Sequence, residues 1–492
     1  MSITNSNLKI YQVNTRVWIK RFGANSKISN VPVSYFKDLA EKGINAVWLM
    51  GIWKTCLKVV NECCITPDLI STYYKALPDW TKADVIGSPF SVDDYLPDDA
   101  LGSWDDFKKL KSNLNEIGLK LFLDFVPNHF SRDSIHLKDN PEVFLRADED
   151  IMSRDAHTFF KSDNDNKIYA HGRDPLFPAW QDTIQVNLFN PKAREFQVKN
   201  LLKVARICDG VRCDMAMLVL NNVFYNTWSG VLSKFEYNKP KEEFWKTAIQ
   251  KIKSKFPDFI FMAEVYWDLE WQLQRLGFDC TYDKVLTDRL LDSDVESIKA
   301  HLNADRDYQM KSVRFIENHD EARAVTSFGK ERSLAAAVIM STIQGAKLYF
   351  DGQFEGKKIK LPIQLGREPV EKISVRVQNF YNKLLGITKS PNFCQGTWEM
   401  LELNSAGGEN LSYNNMLAWQ WKLKGKIIIV IVNYYDSTSQ CRLKFAVDES
   451  IDNVVLVDLL NDQKYIRKNN EILDHGLFIE LKAYNSHIFT LE

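Results

Sequence analysis

No stretch of the chain is apolar enough to cross a bilayer. A membrane helix needs roughly 18 consecutive apolar residues, and no run reaches that length. Neither sign of charge is in excess: Lys and Arg number 63 against 64 Asp and Glu, for a net charge of −1. Neither nucleic acid nor an anionic membrane is therefore expected as a partner. Met1–Ile10 lacks the basic-then-apolar pattern of a secretory leader. The eight cysteines are scattered, Cys63 and Cys64 are adjacent, and there is no CxxC pair. That excludes a small disulfide framework and points to free thiols in the cytoplasm. Internal repeats and low-complexity linkers are missing, and no Gly-rich dinucleotide fingerprint follows the first strand.

What remains is a chain of 492 residues with 45% hydrophobic and 26% charged side chains, long enough for more than one domain. Apolar strands alternate with amphipathic helices to about residue 390. The predicted strands are Tyr11–Ile19, Ile44–Met50, Leu119–Phe125, Asp209–Cys213, Phe259–Ala263, Gly277–Thr281, Ser312–Ile316 and Ala346–Phe350. Several are continuous apolar runs, as in strands buried on both faces. Ser103 with Asp106 opens a helix over Trp104–Ile117 as a capping box, and Asn190-Pro191 opens another. Further helices are predicted over Lys241–Lys255, Ser333–Gln344 and Lys372–Leu385. This α/β alternation fits a closed parallel barrel or an open doubly wound sheet, and the missing fingerprint favours the (β/α)8 TIM barrel. Long connections interrupt it at Gly51 to about Ala100 and at 131–185. After about Pro391 short strand patterns take over, as in two packed antiparallel sheets. The expected plan is a barrel over 1–130 and 186–390, an insertion over 131–185 and a β-sandwich over 391–492.

Polar clusters fall just after the strands. Asp124 leads into Val126-Pro127-Asn128-His129. In Gly210-Val211-Arg212-Cys213-Asp214, Arg212 and Asp214 share one strand face, so the cation keeps the carboxylate ionised. Glu264 follows the fifth strand, and Asn318-His319-Asp320 the seventh. In a parallel barrel these ends open on one face. Each residue alone has a structural reading: Asp124 as a tie between strand end and loop, His129 and His319 as core histidines, Asp320 as part of a solvated acidic loop with Glu317 and Glu321. Together they form the set that splits a glycosidic bond, one carboxylate attacking while a second, kept protonated, donates to the leaving oxygen.

The four clusters, in order, resemble the α-amylase family of glycoside hydrolases (glycoside hydrolase family 13) over essentially the whole length. The resemblance implies that Asp214 is the nucleophile, Glu264 the acid/base and Asp320 the transition-state stabiliser, with Arg212 orienting Asp214. His129 and His319 would bond the sugar on the non-reducing side of the cleaved linkage. Gly87-Ser88-Pro89-Phe90-Ser91-Val92-Asp93-Asp94-Tyr95 resembles the family's aromatic platform, with Phe90 in a tyrosine's place and Asp94 on the same sugar. Tyr266 and Trp267 would stack on the leaving side, and Trp53 would flank the cleft. The family's insertion and terminal β domain match 131–185 and 391–492.

Two departures stand out. Met217 and Leu218 occupy positions where many amylases carry a Lys-His pair for leaving-side sugars, so an apolar wall is expected there. Asp182-Thr183-Ile184-Gln185-Val186-Asn187-Leu188 is an unusual version of the fifth motif and decides no linkage. No cofactor is required, though some relatives bind Ca²⁺, and oxygens of Asn128 and Asp182 would suit a hard cation. The expected function is retaining hydrolysis of maltodextrins or related α-glucans. Alternatives are an α-glucan transferase on the same scaffold and a non-enzymatic interaction module, against which the intact acids argue. Oligomeric state, chain-length preference and endo versus exo attack are not readable.

Overall fold

Among the described residues, eight parallel strands close into a barrel: Lys9–Asn14 (β1), Ala46–Met50 (β2), Lys120–Phe125 (β3), Gly210–Cys213 (β4), Ile260–Ala263 (β5), Cys280–Tyr282 (β6), Ser312–Arg314 (β7) and Ala346–Phe350 (β8). Each pairs with its chain neighbour, and β8 closes on β1. The computed structural model describes residues 8–448 and 450–491; of the leader expectation for Met1–Ile10, residues 1–7 lie outside that range. No helix among the described residues is long and apolar enough to cross a membrane.

Buried apolar strands and half-buried helices give the barrel its layers. The capping box forms as expected: Ser103 Oγ accepts from Asp106 N, and Asp106 Oδ2 accepts from Ser103 N. Helix Pro191–Val204 starts on Asn190, whose Oδ1 accepts from Lys192 N. Seven of the eight strands are shorter than predicted: β2, β3, β4 and β5 lose one or two residues at the start, and three others differ in other ways. β1 ends at Asn14 because Thr15–Trp18 turns helical. β6 starts at Cys280 because Gly277, at φ +112°, terminates helix Glu270–Leu276; a glycine in that conformation ends helices rather than starting strands. β7 stops at Arg314. The prediction also missed helices within the first long connection, Leu57–Cys63 and Pro67–Ala76, and helix Asn221–Lys234 after β4.

The chain between β3 and helix Pro191–Val204 carries its own small sheets. His129–Ser131 pairs antiparallel with Thr183–Gln185, and Arg146–Ala147, Phe159–Lys161 and Ile168–Ala170 form a second sheet. Beyond residue 396 lie a six-stranded and a three-stranded antiparallel sheet. Side chains from both, such as Ile429, Ile431, Leu443 and Ile479, share one apolar core. Trp419 and Trp421 donate their indole N–H to Thr342 O at the end of helix Lys330–Thr342, fixing this unit to the barrel.

Candidate active site

The ladder bonds at the carboxyl ends of β3, β4 and β5 set the acids side by side. Asp214 N donates to Phe125 O, Glu264 N to Cys213 O and Ala216 N to Glu264 O. Register places Arg212 level with Asp124 and Met262. Gly210 is required by proximity: a Cβ there would meet the Phe122 ring at 2.7 Å and Ile260 O at 2.8 Å.

Arg212 holds both carboxylates. Its Nη1 donates to Asp214 Oδ1 at 2.5 Å and its Nη2 lies 2.8 Å from Glu264 Oε1. Rings cover the guanidinium, Phe90 at 4.8 Å and Trp48 at 5.4 Å, a cation–π arrangement that steadies a buried cation. After Asp214 the chain turns sharply through Met215, a non-glycine residue at φ +42°. That turn aims Met215 N at Glu264 Oε2, 2.5 Å away. Tyr266 OH donates to Glu264 Oε1 at 3.1 Å. Burial, with the charges of Asp214 and Asp320, lifts the Glu264 carboxyl to about 8 against the opposing pull of Arg212. It therefore carries a proton at neutral pH.

Asp320 has the opposite balance. Desolvation by surrounding atoms disfavours its charge, but His319, Arg212 and Lys360 outweigh that and hold it at about 2. His319 Nε2 lies 3.0 Å from Asp320 Oδ2. Gln12 Nε2 lies 2.8 Å from His319 Nδ1 and holds the ring's orientation. The His319 ring packs against Phe90 and Trp48 at 5.3 and 5.6 Å. The His129 ring lies tilted against Trp180 at 5.1 Å, and burial lowers its pKa. Asp124, raised to about 6 mainly by burial, accepts from Trp48 Nε1 and Gly51 N, so it ties β3 to the end of β2. Beyond His319 a cavity of about 520 Å³ opens, walled by Asn14, Trp18 and Phe350 and by segment 351–371.

Asp214, Glu264, Asp320, Arg212, His319, Phe90 and Tyr266 thus converge, with His129 close enough to feel the charge of Asp214. Trp267 is half-buried at φ +65° beside Asp268 at φ +59°, two strained residues just past the acid. Four expectations need correction. Met217 has no exposed surface, because the 3₁₀ turn Ala216–Val219 rolls it into the core; the half-buried side chain of that turn is Met215. Asp94 is taken by His136 Nε2 at 3.0 Å and Lys203 Nζ at 3.6 Å, not by the acids. Trp53 is buried and donates to Asp124 O. The fourth is the Ca²⁺ pair. Gln185 Nε2 donates to Asn128 O, Asn128 Oδ1 and Val186 O at 2.8, 3.0 and 3.0 Å, so an N–H group already occupies the centre where a cation would need those oxygens. Asp182 contributes only its carbonyl nearby, to Arg132 N and Ser91 Oγ. Among the described residues no cluster of three or more His, Cys, Asp or Glu could hold a metal. The residues do not fit Ca²⁺. Sequence reasoning missed Gln12, Trp48 and Gln185; the one signal was a polar residue inside an apolar strand.

Fold and site together define the class, a (β/α)8 barrel of the glycoside hydrolase type. The chain belongs to the α-amylase family: the model for the alpha amylase catalytic domain matches residues 33–361. It is similar to Alpha-amylase 3 of Dictyoglomus thermophilum, 23% identical over 68% of this chain and 61% of that protein. It is also similar to the cyclomaltodextrin glucanotransferase of a Bacillus species, 22% identical over 66% of this chain and 43% of that protein. The chain thus spans less than two thirds of the length of these curated relatives. In fold it resembles a maltogenic alpha-amylase from Thermotoga neapolitana, with a TM-score of 0.69, 20% identity and 98% of each chain covered. It likewise resembles the Geobacillus thermoleovorans alpha-amylase solved with acarbose, with a TM-score of 0.68, 15% identity and 100% and 99% covered.

Proposed function

We propose that the chain is a retaining α-glycoside hydrolase that cleaves α-glucosidic bonds in maltodextrins or related α-glucans by double displacement. Asp214, paired with Arg212, attacks the anomeric carbon. Glu264 gives its proton to the departing glycosidic oxygen, and the bond from that oxygen to the anomeric carbon breaks. Water then enters, loses a proton to Glu264, and displaces Asp214. Asp320, His319 and His129 hold the sugar whose ring distorts, over the Phe90 ring.

The observation that carries this reading is one guanidinium gripping two carboxyls, Asp214 and Glu264, of which Glu264 is lifted to about 8. Such a shared grip favours the close spacing of a retaining pair, about 5–5.5 Å, over the wider inverting one. The eight free cysteines suit a reducing cytoplasm.

A second reading, α-glucan transfer, draws on the turn after the nucleophile, where half-buried Met215 is apolar while Ala216–Val219 is buried. An apolar side chain there disfavours water and favours a sugar hydroxyl as the second acceptor. Incubating one pure maltooligosaccharide and sizing the products separates the two. Shorter chains alone mean hydrolysis, and chains longer than the input mean transfer. No change in the maltooligosaccharide, with acarbose also failing to bind, would contradict both.

A further inference from the structure

The cavity beyond His319 is lined from two directions, by the chain just after β1 and by segment 351–371 after β8. Trp18 and Phe350 give it apolar sides, and Asn14 and Arg323 give it an amide and a guanidinium. Such a lining suits the faces and hydroxyls of a sugar.

Four charged side chains of the lining join the two directions. Arg21, from the chain after β1, donates Nη1 and Nη2 to Asp351 Oδ1 and Oδ2 at 2.9 and 2.5 Å. The same guanidinium donates Nε and Nη2 to Glu368 Oε1 and Oε2 at 2.7 and 2.8 Å. Lys357 Nζ donates to Glu368 Oε2 at 2.7 Å, and Tyr11 OH, on β1, to Asp351 Oδ1 at 2.9 Å. One arginine thus holds two carboxylates by paired bonds, the geometry in which a partly exposed ion pair counts. The segment that carries Glu368 is itself tied down. Ile86 N donates to Gln364 O and Gly366 N to Asp84 O. Arg16 Nη2 donates to Ile363 O at 3.0 Å and Lys20 Nζ to Gly366 O at 2.5 Å. Lys360 Nζ donates to Asp320 O, which fastens the segment to the acid site. A sugar chain continuing past His319 in this direction would have to part these pairs.

We infer that Arg21, through Asp351 and Glu368, closes this side of the cleft, so that attack begins at the end of a glucan chain and not within it. Arg21 is then a specificity-determining residue, and each attack releases one short product whose length does not vary with the substrate. That the closed side is the non-reducing one rests on the function proposed above. The test compares maltoheptaose free at its non-reducing end with maltoheptaose carrying an ethylidene cap across the terminal O4 and O6, the products being sized by chromatography. The parent should favour the free chain over the capped one by about 20-fold or more in kcat/KM. Arg21→Ala should narrow that ratio about 5-fold or more by accepting the capped chain. Glu368→Gln keeps the shape but loosens the hold of both Arg21 and Lys357, and should narrow it in the same sense. It carries the test if the urea midpoint shows Arg21→Ala to be unfolded. Equal cleavage of both chains by the parent overturns the inference, and so does a parent-like ratio in the folded variants. Failure of the catalytic reading shows separately, as no cleavage of the free chain by the parent.

Discussion

Two buried arginines in the same barrel behave differently. Arg314, at the end of β7, is fully occupied: its Nη1 pairs with Asp283, its Nε donates to Gln344 O and its Nη2 to Gln309 O and Oε1. His301 Nε2 adds a further contact to Asp283 at 3.0 Å. Arg212, on β4, pairs with acids that have capacity left over: Asp214 Oδ2 takes no bond among the described residues, and Glu264 keeps a proton. The same residue type thus serves as a closed lock in one place and as an open electrostatic device in the other. The difference lies in what its partners have left to do.

The largest effect expected is on the open device. Glu264→Gln should lower kcat on maltooligosaccharides by about 10²–10⁴-fold, the worth of general acid–base help. In the parent, kcat/KM should fall as pH rises through about 8, because the donating proton is lost there; in the variant that limb should vanish. Stability should move in the same sense. Glu264 is raised above the ordinary value of about 4.3, so folding retains a proton, and stability declines as pH climbs from there toward about 8. Chemical denaturation across that window, parent against variant, checks the sign.

Arg314→Met should do the reverse. It leaves Asp283 buried without its cation, and breaking such a pair costs about 3–5 kcal/mol. The rate per folded molecule on a maltooligosaccharide should be unchanged. A variant that keeps its unfolding midpoint but loses turnover would erase the distinction between the two arginines.

A second comparison sets the charged acid site against the neutral junction at Asn128. Gln185→Leu removes three donated bonds among buried groups and should cost about 1–3 kcal/mol, seen as a lower midpoint in urea. A chelator should leave the parent's midpoint where it is; a drop would restore a metal to that junction. The smallest effect belongs to the platform. Phe90→Leu keeps bulk but removes the ring above Arg212 and should raise KM by roughly 2–30-fold, a cation–π contribution of about 0.5–2 kcal/mol, with Phe90→Tyr restoring it.

Much of this was legible because acids at the ends of apolar strands are costly and therefore conspicuous. Asp214, Glu264 and Asp320 stand out for that reason, and parallel-strand geometry then brings distant positions to one face. Packing side chains give no such signal. Trp48 reads as an ordinary strand residue, although it covers Arg212 and bonds Asp124. Met217 read as a cleft wall because spacing cannot tell which way a 3₁₀ turn rolls. Asp94 read as a sugar contact because its partners, His136 and Lys203, lie 42 and 109 residues away in sequence. Gln185 read as a motif irregularity, and only its three oxygen partners disclose that an amide fills the place of a cation.

The anomeric configuration of the first product, followed by proton NMR within the first minutes of maltooligosaccharide cleavage, tests the paired-carboxyl account most directly. Attack by Asp214 and a second inversion by water predict the α-anomer appearing first and mutarotating to β. A β-anomer formed first would mean a single displacement by water, and Asp214 would not be the nucleophile.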